Sequence, residues 1–432
     1  MSIEKPRLRN VELLPAPDGD GLFIRDPLGV CEQTLVLSPG AVRVLPWFDG
    51  EHSVRDIQFE VARGTGGIVH SEQLEKLIAA LDEHLLLEGA RFDARFAEIV
   101  REFHEAPVRR AAHAGQSYPA DAAELRAWLA AFYVDPRGPG VAPIPPSRAG
   151  AQRTGGAGDA RYAGDAVDAS AASQAPSSAR VRAIVAPHID LRAGGPCIAH
   201  AYKALLESTD ARTFVILGVA HAGAENLFAA TRKDFATPLG VTMTDHEFLD
   251  DLARNLPFDI TADEFAHRTE HSIEFPVLFL QQILGLGVTI VPILVGGFEE
   301  MLAAGKRPEE DARVAALGGA LTRRGDDVAV IASVDLAHIG ARFGDSRAID
   351  ADFLAYVERE DRAFLDAAAA RDPDALLAAI AKDFDSRRVD GFPAIYTLLR
   401  ALPLAEGKLL RYEQHADEKA QSAVTFASLA FS

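Results

Sequence analysis

Cysteine is scarce: Cys31 and Cys197 are the only two in 432 residues. They stand alone, in no C-x-x-C spacing, which excludes a disulfide framework and a zinc ribbon. Each is expected to be a small buried apolar residue. No apolar run approaches the ~18 residues that span a bilayer, and the opening MSIEKPRLRN lacks the apolar stretch of a secretory signal. A cytoplasmic location without a membrane partner is the resulting expectation. Basic residues are also few, 44 against 63 acidic, for a formal charge of −19. A surface of that sign repels polyanions, so nucleic acid and anionic lipid are not expected partners. Also missing are G-x-S-x-G, G-x-x-x-x-G-K-[ST] and H-E-x-x-H, which leaves serine hydrolase, nucleotide triphosphatase and zincin chemistry without their motifs.

What is present is ordinary globular composition, 48% hydrophobic and 25% charged, over a length that suits two domains and a linker. Residues 136–179 are rich in Gly, Pro, Ala and Ser and carry few large apolar groups. Such a stretch cannot offset the entropy of ordering, and a flexible insertion is expected there. The expected division is a small domain over 1–100, a connector and domain start over 101–135, the insertion, and a large α/β domain over 180–432.

In the first 100 residues, Leu22–Arg25 and Thr34–Leu37 read as short strands around the turn Asp26-Pro27-Leu28-Gly29. Ser38-Pro39 marks a helix start, a second helix follows Ser53, and a third follows Ser71 with Leu74, Leu77, Ile78, Leu81 and Leu85 at helical spacing. This predicts a small α+β, winged-helix-like unit. The segments GLFIRDPLG, LSPGAVRVLPWFDGEHSVRDI and LEKLIAALDEHLLLEG resemble the PqqD-like peptide-recognition domains. That resemblance implies capture of a leader-like peptide as an added strand on a sheet edge. Binding of DNA is disfavoured by 10 basic against 17 acidic residues in this region. A packing or dimerisation domain is the plainer alternative.

Beyond the insertion, near-continuous apolar strands at 181–186, 214–218, 288–295 and 328–333 alternate with helices, among them 273–284, 311–323 and one opening at Gly194. The pattern predicts a mostly parallel sheet covered by helices on both faces. Functional groups in such sheets gather at the carboxyl ends of the strands. Three of these strands run into Pro187-His188-Ile189-Asp190, Val219-Ala220-His221 and Val334-Asp335-Leu336-Ala337-His338, and a fourth polar cluster, His267 to Glu274, opens a helix. Five of the 13 histidines fall in these segments. Imidazole and carboxylate groups converging there can hold a divalent metal, bind an anionic oxygen or pass protons near neutral pH. His267 and His338 could instead only brace their loops.

The ordered segments APHIDLRAGGPCIAHAYKAL, FVILGVAHAG, ATPLG, AHRTEHSIEFPVLFLQQI, VPILVGG and VIASVDLAHIGARFG, with RRAAHAGQSYPADAAELRAWL ahead of them, resemble the Memo-like family, also called AmmeMemoRadiSam system protein B. The resemblance implies a fold related to class III extradiol dioxygenases, a divalent metal (iron first, copper or zinc otherwise) and a radical-SAM partner. His188 and His221 fall on the family's first two His-bearing motifs. Where some members carry a further His and a Cys as ligands, this chain has Ala222 and Ala337. Asp335 can then supply the anionic ligand, since two His and one carboxylate leave positions open on a metal. The expected metal ligands are His188, His221 and Asp335, and the expected catalytic side chains are His271, His338 and Glu274. Arg387 (or Arg388) and Asp190 are expected to contact substrate. A metal-dependent redox enzyme is the first functional expectation, and a non-catalytic peptide- or ligand-binding adaptor is the second.

Overall fold

The computed structural model describes residues 3–15, 22–31, 33, 35–65, 67–140, 180–324 and 328–432. Most of the Gly/Pro/Ala/Ser-rich insertion, 141–179, lies outside the described residues. The chain divides into two compact units, Met1–Ala106 and Pro107–Ser432.

In the first unit, strands Glu12–Pro15, Leu22–Arg25 and Leu35–Leu37 form an antiparallel three-stranded sheet. Asp26 organises the turn after the middle strand, accepting from the amides of Leu28, Val30 and Cys31 and pairing with the buried Arg9 at 2.7 Å. Ser38 caps helix Pro39–Val44 by accepting from the Ala41 amide, and helices Val54–Thr65 and Ser71–Glu83 follow. Helix Ala90–Glu105 was not anticipated from the sequence. Its Phe92, Phe96, Ile99 and Phe103 recur at helical spacing, Phe92 and Phe96 stack at 5.4 Å, and the Arg9 guanidinium lies over Phe92. Cys31 is half-buried rather than buried, its thiol donating to the Gln33 carbonyl.

The second unit is built on an 11-stranded sheet among the described residues. Its parallel centre runs Ala183–Ala186, Val328–Ser333, Thr213–Val219, Thr289–Val295 and Gly240–Thr244. The sequence reading missed the terminal hairpin Gly407–Asp417 and Ser422–Phe431, whose second strand pairs antiparallel with Ala183–Ala186. Helices cover both faces, and alternate side chains of each central strand enter different cores. Val215, Leu217, Val291 and Ile293 face one core, whereas Phe214, Ile216, Ile290 and Leu294 face the other. Burial on both sides explains why these strands are apolar throughout, each full burial of such a side chain contributing about 1.5–3 kcal/mol. The helix expected to open at Gly194 begins at Leu191, because Asp190 caps it by accepting from the Arg192 amide. Among the described residues no helix is long and apolar enough to cross a membrane.

Candidate metal centre

Register sets the site. Ser333 pairs with Ala186, and Thr213–Val219 ends one strand further along the same rim. His188, Asp335 and His221 each stand two residues beyond the end of their strand, so the sheet delivers them at one level. His271 comes from a different element, the first residue of helix His271–Leu284. Gly218 lets that helix approach: a Cβ there would lie 2.5 Å from the Ser272 hydroxyl oxygen. The Ser272 hydroxyl instead accepts from the Val219 amide at 3.0 Å and lies 3.1 Å from its carbonyl, tying helix to strand.

The result is a triangle of imidazoles with centroid separations of 4.9 Å (His188–His221), 5.0 Å (His188–His271) and 4.8 Å (His221–His271). One ring nitrogen of each falls within 4.8 Å of the others. The opposite nitrogens are held from behind. His188 Nδ1 meets the Ser333 carbonyl at 2.8 Å, and Glu270 Oε1 takes His221 Nδ1 at 3.0 Å and His271 Nδ1 at 3.3 Å. Glu270 also caps the helix by accepting from Ser272. An imidazole whose Nδ1–H is bonded to an acceptor presents its Nε2 lone pair, the usual arrangement for a metal-ligating histidine. His188 Nε2 is buried in the middle of the cluster and faces a carboxylate oxygen at 3.3 Å. Nitrogens at ~2.1 Å from one ion lie roughly 3–3.6 Å apart, so closure by roughly an ångström would bring the triad into range. The residues fit a divalent metal.

The sequence reading missed Asp390. Its Oδ2 lies 3.3 Å from His188 Nε2, 3.8 Å from His221 Nε2 and 4.0 Å from His338 Nε2. Asp335 stands behind: Oδ1 accepts from the His188 and Ile189 amides at 3.1 and 3.2 Å, and Oδ2 is 3.9 Å from His188 Nε2. Burial raises the pKa of Asp335 against the pull of His188, whereas His188 and His221 hold Asp390 far below the usual carboxylate range despite its own burial. Burial works to lower the pKa of His188, but the Asp335 and Asp390 charges outweigh it and leave it raised. His221 is likewise raised against burial, by Glu270 first, with water at its 38% exposed edge screening part of the effect. His271 is pushed down to about 4 by burial, which Glu270 offsets only in part.

Other expected site residues are committed elsewhere. Both Glu274 oxygens are taken inside the fold, by Arg109, Tyr118 and the amides of Ala112 and His113, so Glu274 is a structural anion and not a pocket group. Asp190 is spent on its helix cap and an exposed pair with Arg192. Arg387 is buried against Asp361 at 2.5 Å, and Arg388 pairs with Asp345 at 2.6 Å. His338 reaches the margin of the site, its Nδ1 3.0 Å from the Leu336 carbonyl. His267 is wholly buried, with Nε2 2.9 Å from the Ala229 carbonyl.

A Memo-like protein family model matches residues 157–430. A MEMO1 family protein of Aquifex aeolicus is 26% identical over 435 residues, covering 99% of this chain and 100% of the relative, so the likeness includes the first unit. A MEMO1 family protein of Thermus thermophilus is 28% identical over 380 residues, 87% of this chain and 98% of the relative. One from Thermococcus kodakarensis reaches 37% identity over a shorter 169 residues, 38% of this chain and 55% of the relative. With fold, site-bearing segments and full-length likeness in agreement, the chain belongs to the Memo-like family.

Proposed function

We propose that this Memo-like protein is a metal-dependent redox enzyme related to the non-haem iron dioxygenases, with iron as the first candidate metal and copper or zinc as alternatives. One observation carries the reading: Ser333 and Glu270 hold the outer nitrogens of three converging imidazoles, leaving the inner ones as donors. When bound, such an ion supplies Lewis acidity and, as iron, one-electron redox chemistry. The protein's part is to orient the three rings, to keep water from the buried His188 edge, and to move a proton at His338 Nε2, which lies at the edge of the cluster. Two free cysteines support a reducing, cytoplasmic setting. The pairing with a radical-SAM protein rests on the family's alternative name, and co-purification from the native host tests it.

The test of the main reading is metal analysis of the anaerobically purified full chain, followed by oxygen uptake with a panel of catechols. One iron per chain with catechol-dependent uptake supports it. Stoichiometric metal without uptake favours the binding adaptor, and loss of no metal in His188→Ala removes the triad as a site.

The first unit supports a second activity, capture of a leader-like peptide. Leu35–Leu37 is an edge strand of the three-stranded sheet, and its Val36 is 64% exposed. An extended peptide can add there through main-chain hydrogen bonds. Titration with a peptide encoded beside the gene tests this, and absence of binding to any such peptide removes it.

A further inference from the structure

Asp390 is held in place by more constraints than a loop residue needs. The segment before it carries Phe384, Asp385 and Arg388 in the left-handed region, with φ of 54°, 54° and 52°. Such backbone persists only when surrounding contacts over-determine it. Here the contacts are the buried Arg387–Asp361 pair, the His338 amide on the Arg387 carbonyl at 2.7 Å, and the Val389 amide on Asp385 at 2.9 Å. Gly391 completes the clamp: its amide donates to the Asp335 carbonyl at 3.1 Å, and a Cβ at this position would lie 2.6 Å from that same oxygen.

The carboxylate itself is oriented. Oδ1 accepts from the Asp335 amide at 2.9 Å, which turns Oδ2 toward the imidazoles. Oδ2 and His188 Nε2, both buried, face each other 3.3 Å apart, and Oδ2 also faces His221 Nε2 at 3.8 Å and His338 Nε2 at 4.0 Å. A buried carboxylate oxygen turned on three imidazole nitrogens pairs with a protonated ring or, once the rings are neutral, can share one cation with them. The separation of Oδ2 and His188 Nε2 is that of two ligands on one ion, roughly 3–3.6 Å for bonds of ~2.0–2.2 Å. Asp335 fits less well, since Oδ1 is taken by two amides and Oδ2 is 3.9 Å from His188 Nε2.

We infer that Asp390, and not Asp335, is the anionic ligand of the centre, its Oδ2 sharing one divalent ion with His188, His221 and His271. The inference rests on the metal reading of the histidine triad and adds the charged donor that the triad lacks. It also narrows the metal. Imidazole nitrogen with a hard carboxylate oxygen suits Fe²⁺, Zn²⁺ or Mn²⁺ and disfavours Cu(I), which selects thiolate or thioether. Asp335 becomes a positioning residue that holds the His188 turn by its amides.

Co²⁺ is the probe, titrated into the metal-depleted full chain. Asp390→Asn keeps shape and the Oδ1 acceptor but removes the anion, and it is expected to weaken Co²⁺ binding at least tenfold and to shift the d–d bands. Asp390→Cys is expected to give a thiolate-to-Co²⁺ charge-transfer band in the near ultraviolet, the direct signature of a ligand at position 390. Asp335→Cys is expected to give none. If Asp390→Asn, folded by circular dichroism, binds Co²⁺ as wild type does with an unchanged spectrum, or if the charge-transfer band appears with Asp335→Cys instead, the assignment of Asp390 is overturned while the triad stands. If the wild-type chain binds no Co²⁺, Zn²⁺ or Fe²⁺, the metal reading of the triad falls, and this inference with it.

Discussion

Glu270 Oε1 lies 3.0 Å from His221 Nδ1, and the same oxygen caps the helix that begins at His271. One carboxylate thus sets the tautomer of one proposed ligand and the entry of the helix that carries another. Its pKa falls well below the usual carboxylate range, burial working upward but His221 and His271 prevailing. Glu270→Gln removes the charge while keeping an acceptor. Metal affinity is expected to fall about 10- to 100-fold, the usual cost of losing an outer partner. Competition with a chromophoric chelator measures it, and an affinity within twofold of wild type would show that Glu270 serves the helix alone.

The second prediction concerns Arg109 and Glu274, both side chains fully buried. Besides Glu274, Arg109 donates to the carbonyls of His267 and Glu270 at 3.0 and 2.8 Å, so it fastens the turn that precedes His271. Burial lowers its pKa to about 10, still far above neutrality. Removing one partner strands a buried charge, and Arg109→Met is expected to destabilise the fold by about 3–5 kcal/mol. Arg109→Met with Glu274→Leu is expected to recover much of that loss in urea denaturation. A double variant as unstable as the single one would mean that the carbonyl contacts, not the ion pair, dominate.

How far the sequence disclosed this arrangement depends on which element carried the residue. His188, His221 and Asp335 were legible because each follows a both-faces-buried strand, whose unbroken apolar run marks its own end. Asp390 follows no strand: it lies between the left-handed Arg388 and a helix, where only the Asp-Gly pair hinted at a turn. Glu270 was visible in the His-rich segment, but Glu is not among the favoured helix caps, and nothing local said that it reaches back 49 residues to His221. Glu274 misled for the converse reason. Its position one turn after Glu270 looks like a pocket face, and only the long-range approach of Arg109 shows where it points. The first strand of the terminal hairpin was missed because Leu409 to Asp417 mixes polar and apolar residues on a strand that is only half-buried.

A third prediction follows from His267. Burial, with Arg109 adding to it, pushes its pKa down to about 4, while the Ala229 contact works the other way. The folded value lies below the ~6.5 of an unfolded histidine, so the unfolded chain binds the extra proton between them. Stability from this group is therefore full above about pH 6.5 and is lost as pH falls through about 4. The span is worth on the order of 3 kcal/mol. His267→Gln is expected to flatten the decline in urea-derived stability between pH 7 and pH 4.5 relative to wild type. Parallel declines in the two proteins would contradict a neutral buried His267.

The last prediction tests how tightly the triad depends on backbone approach. Gly218 is buried beside helix His271–Leu284, and a Cβ there would lie 2.5 Å from the Ser272 Oγ and 2.9 Å from the Ile273 Cδ1. Neither atom has room to retreat, because Ser272 is bonded to Val219 and Ile273 is wholly buried. Gly218→Ala must then push the helix start outward and carry His271 with it. Overpacking of this kind costs about 1–3 kcal/mol. Because ligand geometry is lost before the fold is, metal affinity is expected to drop more steeply than thermal stability. Ser272→Gly in the same chain removes the clashing hydroxyl and is expected to restore part of both. If Gly218→Ala alone leaves affinity and melting temperature at wild-type values, the helix is free to move without displacing His271, and the triad is less rigid than its contacts with Val219 and Glu270 indicate.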